Sequence, residues 1–299
     1  MSAPSRIGGF SESEVNQVLD AACRVVGLDE AGATVLRGHT NAVFLLACGP
    51  VVAKVARRGS RTAEVRRTVQ LVEWLTRRGF PTVPLLPVEQ PVLVHGHAVT
   101  FWEYLPQPDH PVSAGQLAAP LRMLHELPAP PFRLRPLDTV GAIRRSLAAI
   151  TALAEGDLEY LAGRLDGLEK ALADVRFVLP PAVLQGDPQH RNALHHGPIA
   201  VLCDWDTAGY GPPEMDLVTI EIHCRRFGYG REHYEAFAEA YGFDVAGWRG
   251  YEVLRDVREL RMITTNAKRA VPGSATLAEV ARRIAGLRAG DDGQRWNIL

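Results

Sequence analysis

Asp187, Asn192 and Asp204 fall in order along the chain, each beside an apolar, strand-like run. Asp187 and Asn192 frame the polar loop Gln185-Gly186-Asp187-Pro188-Gln189-His190-Arg191-Asn192, which follows Val183-Leu184. Asp204 ends the run Ile199-Ala200-Val201-Leu202-Cys203 and is followed by Trp205-Asp206. Two carboxylates and one amide oxygen at strand ends suit phosphoryl transfer. One carboxylate takes or orients the acceptor proton, while the other joins the amide in holding Mg²⁺. Mg²⁺ takes oxygen ligands and keeps waters, so two protein ligands plus nucleotide phosphates suffice. Singly, each residue has a plainer reading. An Asp in a Gly-Asp-Pro turn bonds nearby backbone, Asp204-Trp205-Asp206 is also an Asp-x-Asp metal pattern, with Asp206 the second candidate ligand, and Asp216 reads as a cap or brace for a helix beginning near Leu217. The ordered set, not any one member, points to chemistry.

Lys54 adds a separate argument. The chain has three lysines, Lys54, Lys170 and Lys268, and thirty arginines. Where a solvated cation suffices this sequence writes Arg, yet inside the apolar run Val51-Val52-Ala53-Lys54-Val55-Ala56 it writes Lys. An unpaired buried ammonium is costly, so Lys54 needs an anionic partner. A compact point charge can also sit on nucleotide phosphates. The competing reading is a lysine snorkelling from an edge strand.

These side chains need a scaffold. Ser11-Glu12-Ser13-Glu14 opens an amphipathic helix through about Val26. Thr34-Val35-Leu36, Ala42 to Leu46 and Val51 to Ala56 read as hairpin strands joined by the turns Arg37-Gly38-His39-Thr40-Asn41 and Cys48-Gly49-Pro50. Residues 61–78 read as a helix with Val65, Val69, Val72 and Leu75 on one face. Pro81, Pro84 and Pro87 precede a further hairpin, Val92-Leu93-Val94 to Ala98-Val99-Thr100-Phe101, and the chain from about 112 is mainly helical. A β-rich first third and a helical remainder predict an α+β fold of two lobes, 1–103 and 104–299, hinged at Glu103-Tyr104-Leu105-Pro106 with a nucleotide cleft between them.

Composition narrows the class. An apolar fraction of 46% is that of a globular chain with a core. A net charge of −1 gives no bias toward nucleic acid or an anionic membrane. No run reaches the roughly 18 apolar residues of a membrane span, and the first residues lack an apolar signal core. Cys23, Cys48, Cys203 and Cys224 are widely spaced, as in reduced thiols of a cytoplasmic protein.

The motif resembles the aminoglycoside phosphotransferase family, small-molecule kinases with a protein-kinase-like fold. The matching residues are Gln185-Gly186-Asp187…Asn192, Cys203-Asp204-Trp205-Asp206 and Pro213-Glu214-Met215-Asp216-Leu217. The resemblance implies a small antiparallel sheet lobe that binds ATP or GTP and a larger helical lobe that binds the acceptor. It makes Asp187 the base, Asn192 and Asp204 the Mg²⁺ ligands, and Lys54 the phosphate contact. It also implies a carboxylate partner for Lys54 on the following helix, with Glu64 the best candidate although the family's usual position falls near Thr68, and Glu73, near the helix end, the alternative. Gly38, His39, Thr40 and Asn41 match the family's loop over the phosphates, and Glu103 and Leu105 lie where its hinge meets the nucleotide. His125 fits a buried, hydrogen-bonding position. Gln185 departs from the family, which has His there. Because that His braces the loop and Gln also donates and accepts, the departure is compatible with activity. The expected acceptor is a small-molecule hydroxyl; a peptide or protein hydroxyl, and a nucleotide-binding scaffold without turnover, are the alternatives. Residues 221–299 carry thirteen Lys and Arg against eleven Asp and Glu, which gives no support to a strongly cationic acceptor.

Overall fold

In the computed structural model, which describes residues 7–38 and 40–299, Ser11 opens the first helix through a reciprocal cap. Its hydroxyl accepts the Glu14 N–H at 3.3 Å, and the Glu14 carboxylate accepts the Ser11 N–H at 3.0 Å. The helix, α1 (Glu12–Val26), ends at Gly27, whose φ of 72° is left-handed. Its buried face, Val15, Val18, Leu19, Ala22 and Cys23, shares a core with Phe44, Val55, Val99 and Phe101 of the sheet. His39 of the expected phosphate loop lies outside the described residues.

Five strands build that sheet: β1 (Thr34–Arg37), β2 (Ala42–Leu45), β3 (Val51–Val55), β4 (Val92–Val94) and β5 (His97–Glu103). All pairings are antiparallel, in the order β1-β2-β3-β5-β4. Alternation along β3 buries Val51, Ala53 and Val55 and turns Val52 and Lys54 to the other face. Lys54 is in register with Val43 on one side and Thr100 on the other. It therefore sits on a central strand, and the edge-strand reading fails. The following helix, α2 (Thr62–Arg77), buries Thr68, Val69, Leu71, Val72, Trp74 and Leu75. Val65, expected on that face, is half-buried, and Trp74 takes the larger share.

The chain divides into two compact units. The first comprises the described residues up to Val112 together with Pro130–Arg133 and Arg191–Thr207. The segment after the expected hinge stays in this unit because Gln107 bonds both the N–H and the carbonyl of His195, at 2.8 and 3.1 Å. His195 belongs to the hairpin β7 (Ala193–His196) and β8 (Ile199–Leu202). That hairpin is tied in turn by Val83 N–H to Leu202 carbonyl at 3.2 Å and Leu202 N–H to Pro81 carbonyl at 3.0 Å.

The second unit comprises Ser113–Ala129, Leu134–His190 and Ala208–Leu299. It holds α3 (Ala114–His125), α4 (Thr139–Leu147), α5 (Glu155–Ala173), α6 (Glu214–Arg226), α7 (Arg231–Tyr241), α8 (Tyr251–Ala267) and α9 (Ala275–Ala289). A short antiparallel pair, β6 (Ala182–Leu184) with β9 (Gly209–Gly211), completes it. Ile143, Leu161, Leu165, Leu260, Ile263, Val280 and Ile284 form its core. Buried Glu259 on α8 accepts from Arg226 Nε at 2.7 Å and Arg225 Nη2 at 2.7 Å, which fixes the rotation of α8 against α6. The C-terminal segment docks on this body through Trp296, which is buried under Arg283 and Arg226 at 4.5 and 4.9 Å from the ring. The architecture is α+β. No helix among the described residues is long and apolar enough to cross a membrane.

Gly209 opens β9 where nothing larger fits: a Cβ there would meet Leu137 Cδ2 at 2.7 Å and the Arg135 carbonyl at 2.8 Å. Gly209→Ala is expected to destabilise the protein by about 1–3 kcal/mol through overpacking against backbone. Urea denaturation measures this, and an unchanged midpoint would show that β9 shifts freely.

Candidate active site

The loop carrying Asp187 is held from below by a buried carboxylate. Asp216, fully buried in the first turn of α6, accepts the Gln185 N–H at 2.8 Å on Oδ2 and the Gly186 N–H at 2.9 Å on Oδ1. His125 Nε2 lies 3.2 Å from Asp216 Oδ2, and its Nδ1 lies 2.7 Å from the Tyr241 hydroxyl. The expected brace for the α6 helix is thus a clamp on the loop. Gln185 is buried as well, and its Oε1 accepts the Asp187 N–H at 2.7 Å, a role open to any acceptor of that reach. His125 is the buried, hydrogen-bonding histidine expected of it.

Asp187 itself stays partly open. Its Oδ2 accepts from Gln189 Nε2 at 2.7 Å, and its Oδ1 forms a close ion pair with Arg258 Nη2 of α8. Asn192 ends a short 3₁₀ turn, His190–Asn192, and is buried. Its carbonyl accepts the Cys203 N–H at 2.9 Å, so β7 and β8 fix the spacing between Asn192 and the residue before Asp204.

Asp204 adopts a φ of 56°, uncommon for a residue with a side chain and tolerated best by Asp and Asn. Such strain persists only where surrounding contacts hold it. Those contacts include Lys54, whose ammonium lies 2.8 Å from Asp204 Oδ1 and 2.9 Å from Asp206 Oδ2. Burial alone would lower the Lys54 pKa, but Asp206 and Asp204 outweigh it and hold the ammonium above its ordinary value. Burial likewise pushes the Asp204 carboxyl up, while Lys54 and then Arg37 bring it below the ordinary carboxylate value. Burial, with Asp204 next to it, raises the Cys203 thiol to about 12, so it remains protonated and adds no thiolate ligand.

Among the described residues the carboxylates paired with Lys54 are those of Asp204 and Asp206, and not the expected Glu64. Glu64 occupies the first turn of α2, where the helix dipole favours a carboxylate, and both carboxylates on Lys54 come from the Asp204–Asp206 segment. Of the expected phosphate loop, Gly38 packs against Ile7, Thr40 is exposed, and Asn41 is buried. The Asn41 amide spans two groups: Oδ1 accepts the Arg57 N–H at 3.0 Å and Nδ2 donates to Asp206 at 2.8 Å. Glu103 is exposed at the end of β5, its N–H bonded to the Pro84 carbonyl at 3.0 Å, and the Leu105 carbonyl accepts from Gln107 at 2.9 Å.

Asn192, Asp204 and Asp206 offer only oxygen donors, the set a hard cation such as Mg²⁺ takes. Lys54 bridges Asp204 and Asp206 and balances their charge. Sequence reasoning missed two partners, Arg258 on Asp187 and Asn41 on Asp206, because each contact joins segments far apart in the chain and leaves no local pattern.

Residues 32–255 match the phosphotransferase enzyme family. The chain belongs to that family. No curated protein sequence matches it. Solved structures of the same fold include a choline/ethanolamine kinase family protein from Mesorhizobium loti, 19% identical, with 93% of each chain covered and a TM-score of 0.68. An amicoumacin kinase solved with AMP-PNP, Ca²⁺ and Ami is 14% identical, with 96% of this chain and 98% of that one covered and a TM-score of 0.71. A spectinomycin phosphotransferase solved with ADP and spectinomycin is 15% identical, covering 95% and 94%, with a TM-score of 0.62. At these identities the likeness establishes the protein-kinase-like fold.

The clamp has a measurable consequence. Asp216→Asn removes the charge that two loop N–H groups and His125 face, and leaves an NH₂ against one of those donors. Hydrogen bonds to a buried charge contribute roughly 1.5–3 kcal/mol each, so a stability loss of about 2 kcal/mol or more is expected in chemical denaturation. A variant as stable as the wild type would show that the loop does not depend on Asp216.

Proposed function

We propose that this protein transfers the γ-phosphate of ATP to a hydroxyl of a small molecule. The observation that carries the reading is the Lys54 ammonium set against both Asp204 and Asp206: a central-strand cation and two carboxylates meet, a combination able to handle a metal–nucleotide. Family membership supports phosphoryl transfer. The adenine nucleotides and small-molecule ligands in the amicoumacin and spectinomycin enzymes support ATP over GTP, and a small acceptor over a peptide.

In this reading Asn192 and Asp204 hold Mg²⁺, which when bound neutralises phosphate charge, and Asp206 is the reserve carboxylate. Lys54 exchanges part of its contact with the carboxylates for nucleotide phosphate. The Gly38–Asn41 turn, which includes His39, covers the phosphates, Glu103 and Leu105 meet the purine, and Glu64 stands by on α2. Asp187 accepts or orients the proton of the acceptor hydroxyl. The acceptor oxygen forms the new bond to the γ-phosphorus, the bond from that phosphorus to the β–γ bridging oxygen breaks, and ADP leaves. The transition state is loose, so Asp187 acts mainly by position, and Asp216 and Gln185 supply that position.

Asp187→Asn keeps the shape and removes the charge. It is expected to lower kcat about 10²-fold or more while nucleotide Kd changes little. Asp204→Asn should instead weaken Mg²⁺-dependent nucleotide binding, and Lys54→Ala should impair it at intact fold. An ATP-dependent screen across amino alcohols, sugars, aminoglycosides and hydroxy acids provides the assay. Wild-type turnover in Asp187→Asn would overturn the base assignment, and full Mg²⁺ dependence in Asp204→Asn would pass the metal role to Asp206.

A further inference from the structure

Several buried or half-buried arginines of the helical unit come with carboxylates, and Arg261 is among the half-buried ones. Arg226 and Arg225 share Glu259, Arg283 bonds Glu279, and Arg164 bonds Asp256. Arg261 is different. Its Nη1 donates to two neutral hydroxyls, Thr265 Oγ1 at 2.6 Å and Ser146 Oγ at 3.1 Å, and no carboxylate forms an ion pair with it among the described residues. Ser146, on α4, is itself buried.

The surroundings make this costly. Burial first, then the like charges of Arg258, Arg145 and Arg269, depress the Arg261 guanidinium to about 10; among its strongest charged neighbours only Asp187 pulls the other way. Asp187 is engaged by Arg258, one turn away on the same face of α8, and Arg145 bonds Asp138. Arg258 donates through Nη1 to the Gly186 carbonyl at 3.3 Å, and its Nε is buried with no partner. A half-buried cation held among like charges is better tolerated where an anion completes the site. Guanidinium forks match carboxylate and phosphate oxygens.

We propose that Arg261, with the spare Arg258 donor and Arg145 beside it, binds an anionic group of the acceptor, a carboxylate or a phosphate, next to Asp187. This rests on Asp187 being the base of the transfer. The acceptor is then a hydroxyl compound carrying negative charge, such as a hydroxy acid or a sugar phosphate. It is not a polycation.

Matched pairs test this with Mg²⁺ and ATP: serine against ethanolamine, glycerate against glycerol, glucose 6-phosphate against glucose. The acidic member of at least one pair is expected to have roughly 10- to 100-fold higher kcat/KM, the scale of charge-assisted hydrogen bonds. The first two pairs report a carboxylate and the third a phosphate. Arg261→Gln should remove the preference and leave the neutral members unchanged, and Arg261→Lys should restore part of it. A strut between α4 and α8 would predict a lower Tm for Arg261→Gln; relief of repulsion predicts an equal or higher one.

A second measurement needs no turnover. With Mg²⁺ and AMP-PNP present, succinate or inorganic phosphate should raise the Tm of the wild type and not of Arg261→Gln. Equal or greater transfer to the neutral members, the same anion response in Arg261→Gln, or no response in the wild type would overturn the anion site. Anion binding that depends on Arg261, with no transfer to any compound, would support the site and count against the phosphotransferase reading instead.

Discussion

A carboxylate carried into a dry interior is stable only where hydrogen-bond donors replace its water. Asp216 has no solvent exposure, and its donors are the Gln185 and Gly186 N–H groups with the His125 ring alongside. That requirement sets the pose of the loop. With two consecutive N–H groups turned down onto Asp216, the Asp187 N–H turns to Gln185 Oε1, and the Asp187 carboxylate is carried outward. It also explains the surroundings. His125 can serve Asp216 because Tyr241 of α7 bonds its other nitrogen, and α3 packs closely on α7. Gln185 contributes to this brace through its Oε1, which accepts the Asp187 N–H.

What the sequence made legible was what is encoded locally. The Ser11–Glu14 cap, the alternation from Val51 to Val55 and the hairpin from Val92 to Phe101 each follow from neighbours a few residues apart. The ordered Asp187, Asn192 and Asp204 stand out in the sequence because phosphoryl transfer restricts which residue types could serve it. The three-residue strand β9 has no period to detect, and it exists because Ala182–Leu184 pairs with it. The Asp216 clamp spans thirty-one residues and the Arg258 contact seventy-one, so neither shows as a pattern. The Glu64 reading failed for a related reason: helix position alone does not decide which of several carboxylates lies nearest an ammonium.

Lysine at 54 makes sense of the chain's preference for arginine elsewhere. The site is a slot on the inner face of a central strand, closed by Asp204 and Asp206. A single compact ammonium bridges the two carboxylates from one nitrogen, where a planar guanidinium would need more room and a fixed fork geometry. Asn41, in the bend before β2, also donates to Asp206 while its Oδ1 accepts the Arg57 N–H, so that carboxylate is held by both Lys54 and Asn41.

The two halves of the chemistry are therefore charged in opposite senses. The Lys54 side is organised around a pair of carboxylates that attract cations. The Asp187 side has one carboxylate facing Arg258, with Arg261, Arg145 and Arg269 in its field. Two like charges about 8 Å apart repel by roughly 2 kcal/mol at an effective dielectric near 20. Asp187 answers Arg258 and Asp138 answers Arg145, so the guanidinium without a carboxylate ion pair among the described residues is Arg261, and its charge is the one a cationic acceptor would meet. On the proposed reading the selection of the acceptor falls to α8, whose rotation is set by the buried Glu259 grip on α6.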